Sequence, residues 1–351
     1  MRLDTIDPAD TVEFCPHPNA SNLLVCGTYK LVDANAGITE DDQLAERAPQ
    51  KRIGSVLAFE IQENDELSQI QEISLPAVPD IKWAISASPV LGVADSEGNI
   101  SLHIFDLDEK RFSTLQSLAV ASSDVLSLSL DWSNRRNPSS GLGSLVVSLS
   151  NGSLSHLLPG ESGMVIDNVW HAHDFEPWIA AWNYWDENII YSGGDDLKMK
   201  SWDVRIGFGQ PVFTNKRFDA GVTTIQSHPY IEHLMAVGSY DNTIRLFDAR
   251  KPLVPLTQLD VGGGAWRVKW HPSEKRKNDL LVACMHDGCK IIRFDVEGEN
   301  IADGGTVIQR FDEHKSMAYG ADWSYAEEDT NRNTLVASCS FYDHVLYTWR
   351  G

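Results

Sequence analysis

The feature that most constrains this fold is a short stretch that recurs in altered copies along the chain. The clearest copy runs from Gly238 to Asp248 and reads Gly-Ser-Tyr-Asp-Asn-Thr-Ile-Arg-Leu-Phe-Asp. Each copy has a short apolar strand, a tight turn that holds an aspartate, and an alternating strand that ends on an aromatic residue. The turn aspartate and closing aromatic residue are Asp196 and Trp202, Asp241 and Phe247, and Asp343 and Trp349. Because their separation is equal in all three copies, the chain is an array of one repeated unit.

A second landmark precedes these turns, an apolar strand that ends in an aromatic residue or in His-Pro. Most copies are separated by roughly 43 to 53 residues, which is near the period of propeller blades built from four strands. The landmark segments are 12–14, 81–83, 128–132, 179–182, 224–229, 268–272 and 320–323. A unit of this size cannot bury its apolar face alone, so neighbouring units must stack around a channel. The sequence therefore predicts one all-β domain over residues 1–351, a seven-bladed β-propeller.

The last unit supplies only three strands of its own, so the ring needs a fourth strand to close. The segment from Arg2 to Ile6 is the predicted partner, and its pairing would remove an open sheet edge. The first unit is interrupted by the polar segment from Asp33 to Lys51, which we expect to be a mobile acidic loop. Residues 297–306 and 327–333 are smaller insertions of the same kind.

The charge of the chain limits its partners. It carries 29 Lys plus Arg against 50 Asp plus Glu, a formal net charge of -21, which repels phosphate backbones. Its five cysteines are an odd number and lie mostly in apolar strands, as is typical of reduced thiols in an intracellular protein. No signal peptide and no long apolar run is apparent. We therefore expect a cytoplasmic monomer without nucleic-acid or membrane partners.

The repeat resembles that of WD-repeat propellers. The resemblance extends to a histidine nine residues before the inner-strand tryptophan, at His173 before Trp182 and at His314 before Trp323. In that family, this histidine, a serine or threonine, the turn aspartate and the closing tryptophan form a buried hydrogen-bonded set. The resemblance implies this structural role for His173, Asp196 and Trp202, because a buried aspartate needs partners.

His171 and His173 also have the alternating spacing of two metal ligands on one side of an extended segment. No third ligand is apparent nearby, and His173 already fits the structural position of the repeat. We therefore expect no metal site and no cofactor.

A narrower resemblance covers nearly the whole chain. Its strings are not what generic WD repeats require, and they are similar to those of the diphthine methyl ester hydrolases, which act in diphthamide synthesis. The matching segments are Val25–Tyr29, Leu130–Ser133, Phe175–Trp185, Tyr191–Asp196, Gly238–Asp241, Trp266–Pro272, Ala283–His286, Tyr319–Ser324 and Cys339–His344. The resemblance implies hydrolysis of a methyl ester on a modified histidine of translation elongation factor 2, which would be the partner.

The repeat also predicts where a site would lie. In a four-stranded blade, the loop entering the innermost strand and the turn between the second and third strands open on the same face. Residues at these positions should ring one mouth of the channel: Trp178, Asp195, Thr223, Tyr240, Trp266, Arg267, His286, Tyr319, Tyr342 and His344. The substrate implied by the family carries a trimethylammonium group, which aromatic faces recognise through cation–π contacts. The predicted cage is Tyr240, Trp266, Tyr319 and Tyr342, with Trp178 beside it and Asp195 as counter-charge. The alternative is that these aromatic side chains only fill the wedges between blades.

Ester hydrolysis needs an activated water or nucleophile and a group that stabilises the tetrahedral oxyanion. The sequence has no Gly-x-Ser-x-Gly elbow, so Ser239 and Ser340 are better explained as structural turn hydroxyls. Histidine titrates near neutral pH, which suits a general base, although an ordinary turn histidine is the alternative. The candidates are His286 or His344 for the base, Asp343 or Asp287 for its orientation, and Arg267 for the oxyanion.

Two other functions stay open from the sequence. A propeller by itself predicts binding rather than chemistry, so a non-catalytic scaffold is the main alternative. An adaptor for a ubiquitin ligase or for nucleic acid has less support, because the chain is acidic and no appended domain is apparent.

Overall fold

The computed structural model describes residues 1–32, 50–136, 141–161, 163–296, 301, 304–331 and 333–351. Most of the predicted acidic loop at 33–51 and part of the insertion at 297–306 lie outside the described residues. The described chain is built from antiparallel sheets and contains no α-helix; Pro18–Ala20 and Glu274–Arg276 are single 3-10 turns.

Seven sheets, one for each predicted unit, form the blades of a ring. The chain starts with β1 (Arg2–Asp4), which belongs to the last blade. Blade 1 contains β2 (Ala9–Phe14), β3 (Leu23–Thr28), β5 (Arg52–Ile61) and β6 (Leu67–Leu75), with the short β4 (Lys30–Leu31) paired to β5. Blade 2 contains β7 (Asp80–Trp83), β8 (Val90–Ala94), β9 (Asn99–Asp106) and β10 (Arg111–Ala119). Blade 3 contains β11 (Ser127–Trp132), β12 (Leu145–Leu149), β13 (Ser153–Gly160) and β14 (Gly163–His171).

The second half of the ring repeats this order. Blade 4 contains β15 (Ile179–Trp182), β16 (Ile189–Gly193), β17 (Met199–Asp203) and β18 (Phe213–Asn215). Blade 5 contains β19 (Val222–Ser227), β20 (Leu234–Ser239), β21 (Thr243–Asp248) and β22 (Thr257–Asp260). Blade 6 contains β23 (Arg267–Trp270), β24 (Asp279–Ala283), β25 (Cys289–Arg293) and β26 (Thr306–Phe311). Blade 7 contains β27 (Ala318–Trp323), β28 (Leu335–Ser340) and β29 (Val345–Arg350), and β1 is its fourth strand.

The predicted closure of the ring by the N-terminal strand is confirmed. Strand β1 lies antiparallel to β29, with Leu3 opposite Leu346, and the Thr5 amide donates to the His344 carbonyl at 2.8 Å. The two ends of the described chain therefore share one blade, and the ladder between them leaves no unpaired edge on β29.

The landmark aromatic residues at the ends of the inner strands fill the wedges between blades. Trp83, Trp132, Trp182 and Trp323 are all fully buried. The Trp132 indole donates to the Lys82 carbonyl at 3.0 Å, and the Trp323 indole donates to the Lys269 carbonyl at 2.9 Å. The Trp132 and Trp323 rings are thus fixed to the inner strand of the preceding blade, in addition to removing roughly 150–250 Å² of surface each from water.

The predicted buried set of blade 4 is confirmed. His173 shares hydrogen bonds with Asp196 at 2.8 Å and with Ser192 at 2.7 Å, and the Trp202 indole donates to Ser192 at 2.9 Å. Burial lowers the pKa of His173 although Asp196 opposes this. Burial opposes ionisation of Asp196, but His173, the Asp174 amide and the Lys198 charge together outweigh burial, and the Asp196 pKa falls to about 2. The turn aspartate is therefore structural in this blade.

Candidate functional site

Every blade contributes one side chain to the mouth of the channel that we call the upper mouth. The contributing residue lies four positions before the last residue of each inner strand. These residues are Asp10, Pro79, Leu128, Trp178, Thr223, Trp266 and Tyr319, and all of them line one cavity of about 460 Å³. The upper mouth is therefore a ring of equivalent positions that carry different chemistry.

Irregular strand pairing turns several of these side chains toward the cavity. The register shifts at Asp10 in β2, at Leu128 in β11, at Thr223 in β19 and next to Tyr319 in β27. A β-bulge leaves its extra residue unpaired and re-aims the side chain. In the other three blades, the residue at this position directly precedes the inner strand. The repeat thus determines where these residues lie in each blade, and in four blades the bulge determines where the side chain points.

A second ring of residues follows the second strand of the blades. The Tyr240 amide donates to the Gly221 carbonyl at 2.9 Å. Equivalent bonds join Tyr29 to Pro8 at 2.8 Å, Ser150 to Leu126 at 2.9 Å and Phe341 to Met317 at 3.0 Å. In each case the acceptor lies two positions before the residue that the blade contributes to the upper mouth. Tyr29, Ser150 and Phe341 therefore occupy the same place in their blades as Tyr240. All four line the cavity.

Six half-buried aromatic side chains form a continuous wall, which we call the aromatic arc: Trp178, Tyr240, Trp266, Tyr319, Phe341 and Tyr29. Successive ring centroids lie 6.3 Å apart for Trp178 and Tyr240, 5.7 Å for Tyr240 and Trp266, 4.9 Å for Trp266 and Tyr319, 5.6 Å for Tyr319 and Phe341, and 6.0 Å for Phe341 and Tyr29. Trp266 is central, since it also contacts Trp178 at 5.5 Å. The arc offers several π faces to one volume.

Polar groups behind the aromatic arc hold its rings in place. The Trp178 indole donates to Asp195 Oδ1 at 2.7 Å, and Arg52 Nε donates to the Tyr29 hydroxyl at 2.8 Å. Burial raises the pKa of Asp195, and the bond from Trp178 opposes that rise. A side chain at Gly221 would start 2.2 Å from Asp195 Oδ1 and 3.1 Å from the Tyr240 ring, so glycine permits this approach.

An acidic and a basic side chain lie on the floor of the cavity, Asp10 and Arg267. Each residue is only 8% exposed. Burial raises the pKa of Asp10 to about 8, although the nearby Arg267 charge lowers it and Asp80 raises it further. Arg267 Nη2 donates to Asp80 Oδ1 at 3.1 Å, and Lys82 Nζ donates to the same oxygen at 2.7 Å. Asp80 therefore anchors the guanidinium, while Asp10 stays outside this ion pair.

Buried ion pairs connect the inner strands next to this floor. Lys82 lies 3.2 Å from Glu13, Lys269 contacts both Glu13 and Asp322, and Arg135 lies 2.9 Å from Asp131. Burial opposes ionisation of Glu13, but the two ammonium groups outweigh burial and lower its pKa. Because each charge has a partner, the layer avoids the cost of isolated buried ions.

The structure brings together some of the predicted site residues. Trp178, Thr223, Tyr240, Trp266, Arg267 and Tyr319 line one cavity, with Asp195 bonded behind Trp178.

The other predicted residues lie elsewhere. His286, Tyr342 and Asp343 line a separate depression beside His314. The Asp343 carboxylate accepts from Ser340 Oγ at 2.5 Å and from the Lys315 amide at 3.1 Å, as a turn aspartate does. The His344 carbonyl accepts hydrogen bonds from the Thr5 amide and hydroxyl, next to the strand that closes the ring.

Tyr342 lies outside the cavity because the turn of blade 7 is longer. One residue, Tyr240, separates Ser239 from Asp241, whereas two residues separate Ser340 from Asp343. Phe341 consequently takes the cavity position, and Tyr342 is 69% exposed against the Phe341 ring, with centroids 5.0 Å apart. A count back from the turn aspartate gives Tyr342 as the cavity residue, whereas a count forward from the end of the second strand gives Phe341.

Asp10 is the main site residue that the sequence analysis missed. The signal was present, because Asp10 precedes Phe14 by the same four positions that separate Trp178 from Trp182. The surrounding residues Ala9 and Thr11 belong to a buried strand, so the sequence alone indicated core rather than cavity.

His171 and His173, whose spacing was weighed as that of two metal ligands, are not available as a pair. Both ring nitrogens of His173 are engaged by Asp196 and Ser192, and His171 is exposed. No group of three or more His, Cys, Asp or Glu side chains suited to a metal ion occurs in the described part of the chain. No described helix is long and apolar enough to cross a membrane.

Comparisons with known proteins agree with this architecture. No family model matches the chain. In the structure search, a chain of the mitotic checkpoint complex superimposes with a TM-score of 0.72 at 16% identity, covering 100% of this chain and 91% of that chain, which shows the fold alone.

Curated relatives are much more similar in sequence. The human diphthine methyltransferase is 39% identical over 92% of this chain and 74% of its own length. The diphthine methyltransferase homolog of Dictyostelium discoideum is 36% identical over 97% of this chain and 96% of its own length. The Schizosaccharomyces pombe diphthine methyltransferase is 31% identical over 93% of this chain and 90% of its own length. At this identity and coverage, the chain belongs to the diphthine methyltransferase family.

Proposed function

We propose that this chain hydrolyses the methyl ester of diphthine methyl ester on translation elongation factor 2, giving diphthine in diphthamide biosynthesis. The names of its relatives support a role in that pathway. The observation that carries the proposed reaction is the upper cavity, where the aromatic arc lies beside a buried carboxyl and a buried guanidinium.

The aromatic arc fits the cationic part of this substrate. A trimethylammonium group cannot donate a hydrogen bond, so its recognition depends on aromatic faces, at roughly 0.5 to 2 kcal/mol for each contact. Trp266 lies within 6 Å of both Tyr240 and Tyr319, so one cation would meet several rings at once. The Asp195 carboxylate behind Trp178 adds negative charge on the same side.

The floor of the cavity fits the ester part. Hydrolysis requires a group that takes a proton from water and a positive group near the developing oxyanion. Asp10 and Arg267 are of these two kinds and lie on one floor. The diphthine side chain would enter from the upper mouth with its cation against the wall and its ester toward the floor.

The wider setting of the reaction is part of the same proposal. The partner is elongation factor 2 docked over the upper mouth, and the chain acts as a monomer in the cytoplasm. The net charge of -21 argues against a nucleic-acid surface.

A second candidate follows from the name of the relatives, which describes methyl transfer rather than ester hydrolysis. The two reactions change the mass of elongation factor 2 in opposite directions. Purified chain is incubated with methyl-esterified factor, and separately with unmethylated factor plus S-adenosylmethionine, before intact-mass measurement. Loss of one methylene mass in the first reaction supports hydrolysis, and a gain in the second supports transfer. Binding without either mass change would favour the scaffold.

A further inference from the structure

We propose that Asp10 is the general base of this ester hydrolysis, that Arg267 stabilises the oxyanion, and that a cation bound in the aromatic arc converts Asp10 to its basic form. The inference rests on the proposed function, and it assigns the catalytic step to residues on the cavity floor instead of to His286 or His344.

The first support is the hydrogen bonding of Asp10. It is more than nine-tenths buried, yet its carboxyl accepts no hydrogen bond from the described residues, and its pKa is set by burial and by the charges of Arg267 and Asp80. Buried polar groups in proteins are almost always hydrogen-bonded, so an unpaired carboxyl that lines a cavity indicates a ligand or water partner.

The second support is the hydrogen bonding of Arg267. It is equally buried, and within the described part of the chain only its Nη2 atom bonds to a side chain, that of Asp80. Arg267 lines the upper cavity and also a second cavity of the channel. No ion pair joins Asp10 to Arg267, so the two groups flank a shared space instead of neutralising each other.

These positions give a balanced reaction. The Asp10 carboxylate takes one proton from a water molecule as the water oxygen bonds to the ester carbonyl carbon. The C=O electron pair moves onto oxygen, and the Arg267 guanidinium stabilises this oxyanion. Collapse of the tetrahedral intermediate breaks the bond to the methoxy oxygen, which takes the proton from Asp10 and leaves as methanol. The product is a carboxylic acid that ionises in water, and Asp10 is again a carboxylate.

The groups around Asp10 set the protonation state of its carboxyl, and a cation bound in the aromatic arc would change that state. The groups that interact with it from neighbouring elements are Arg267, Asp80, Tyr29, Tyr240, Tyr319 and Cys339. Burial holds its pKa at about 8 in the protein alone, so the carboxyl is mostly protonated at neutral pH. A bound cation favours the charged form of a nearby carboxyl and lowers its pKa. Substrate binding therefore ionises the base that the reaction needs.

Tetramethylammonium ion tests this coupling without any turnover. Calorimetric titration at pH 7 in two buffers of different ionisation enthalpy measures the protons released on binding. We expect proton release from the wild-type chain and none from Asp10→Asn. Binding by the wild type without proton release, or equal release by both chains, would overturn the coupling.

Turnover tests the catalytic role. We expect Asp10→Asn to lower kcat by about 10² to 10⁴-fold. In the wild type, the pKa in the pH profile of kcat, which reports the substrate complex, should lie below the pKa in the profile of kcat/KM, which reports the free enzyme. Asp108→Asn, an exposed carboxylate between β9 and β10, is the matched control and keeps wild-type turnover. Near wild-type kcat in Asp10→Asn, or abolished turnover in correctly folded His286→Asn or His344→Asn, would overturn the assignment. If the wild type itself does not hydrolyse the ester, the proposed function fails, whereas the titration still decides the coupling.

Discussion

Arg267 and Asp80 are joined across the channel by a 3.1 Å hydrogen bond between side chains 187 positions apart in sequence. They belong to the inner strands of blades 6 and 2, which are not neighbours in the ring. Asp80 also accepts from Lys82, from the Leu130 amide and from the Thr11 hydroxyl, so one fully buried carboxylate connects four blades. The floor of the candidate site is thus fixed from the opposite side of the propeller.

This relationship predicts the effect of Asp80→Asn. The substitution leaves Arg267 without its buried counter-charge and leaves Lys82 with Glu13 as its ion-pair partner, which costs about 3–5 kcal/mol of unfolding free energy. Denaturant titration measures the loss, and Asp108→Asn should change stability little because that carboxylate is exposed. A loss below about 1 kcal/mol would mean that the ion pair contributes no more than a surface pair.

The aromatic arc predicts a specific loss of cation binding when Trp266 loses its π face. Trp266→Leu keeps apolar bulk but removes the central ring of the arc, so the dissociation constant for tetramethylammonium should rise about fivefold or more. Trp266→Phe should restore part of the affinity, since it returns an aromatic face. Equal affinity in the Leu and Phe variants would show that bulk alone matters at this position.

The longer turn of blade 7 predicts unequal roles for two adjacent aromatic residues. Phe341 lines the cavity, whereas Tyr342 is mostly exposed against its outer face. Phe341→Leu should therefore weaken tetramethylammonium binding more than Tyr342→Leu does, and isothermal titration of both variants measures the difference. The reverse order would support the cage predicted from sequence, in which Tyr342 was a member.

The buried set of blade 4 predicts a pH dependence of stability. The folded-state pKa of Asp196 is depressed from 3.8 to about 2. A depressed carboxyl pKa stabilises the fold above the unfolded pKa, and this contribution is lost as pH falls from about 4 to about 2. Its size is about 2 kcal/mol. Unfolding free energies measured at pH 5 and below should fall more steeply for wild type than for Asp196→Asn, and parallel curves would contradict the assignment.

The sequence by itself determined the architecture of this protein. The turn aspartates and the inner-strand aromatic residues recur at fixed local spacing, so they give the number of blades, the ring closure by Arg2 to Asp4 and the buried set around His173. These features could be predicted because each depends on residues within one repeat, or on the need of the last repeat for a fourth strand.

The sequence also located part of the candidate site. Trp178, Tyr240, Trp266 and Tyr319 were predicted at one mouth, because the position of a residue in its repeat specifies the face on which it lies. It did not assign Asp10, since a bulge decides where that side chain points.

Only the tertiary structure decided which residues share the cavity floor. The ring places Asp10, Asp80 and Arg267 on three inner strands that converge at the channel, although they are far apart in sequence. These groups interact because the channel buries them together. Burial raises the pKa of Asp10, and the Asp80 carboxylate holds the Arg267 guanidinium. Repeat spacing contains no information on such cross-channel contacts, which arise when the blades close into a ring.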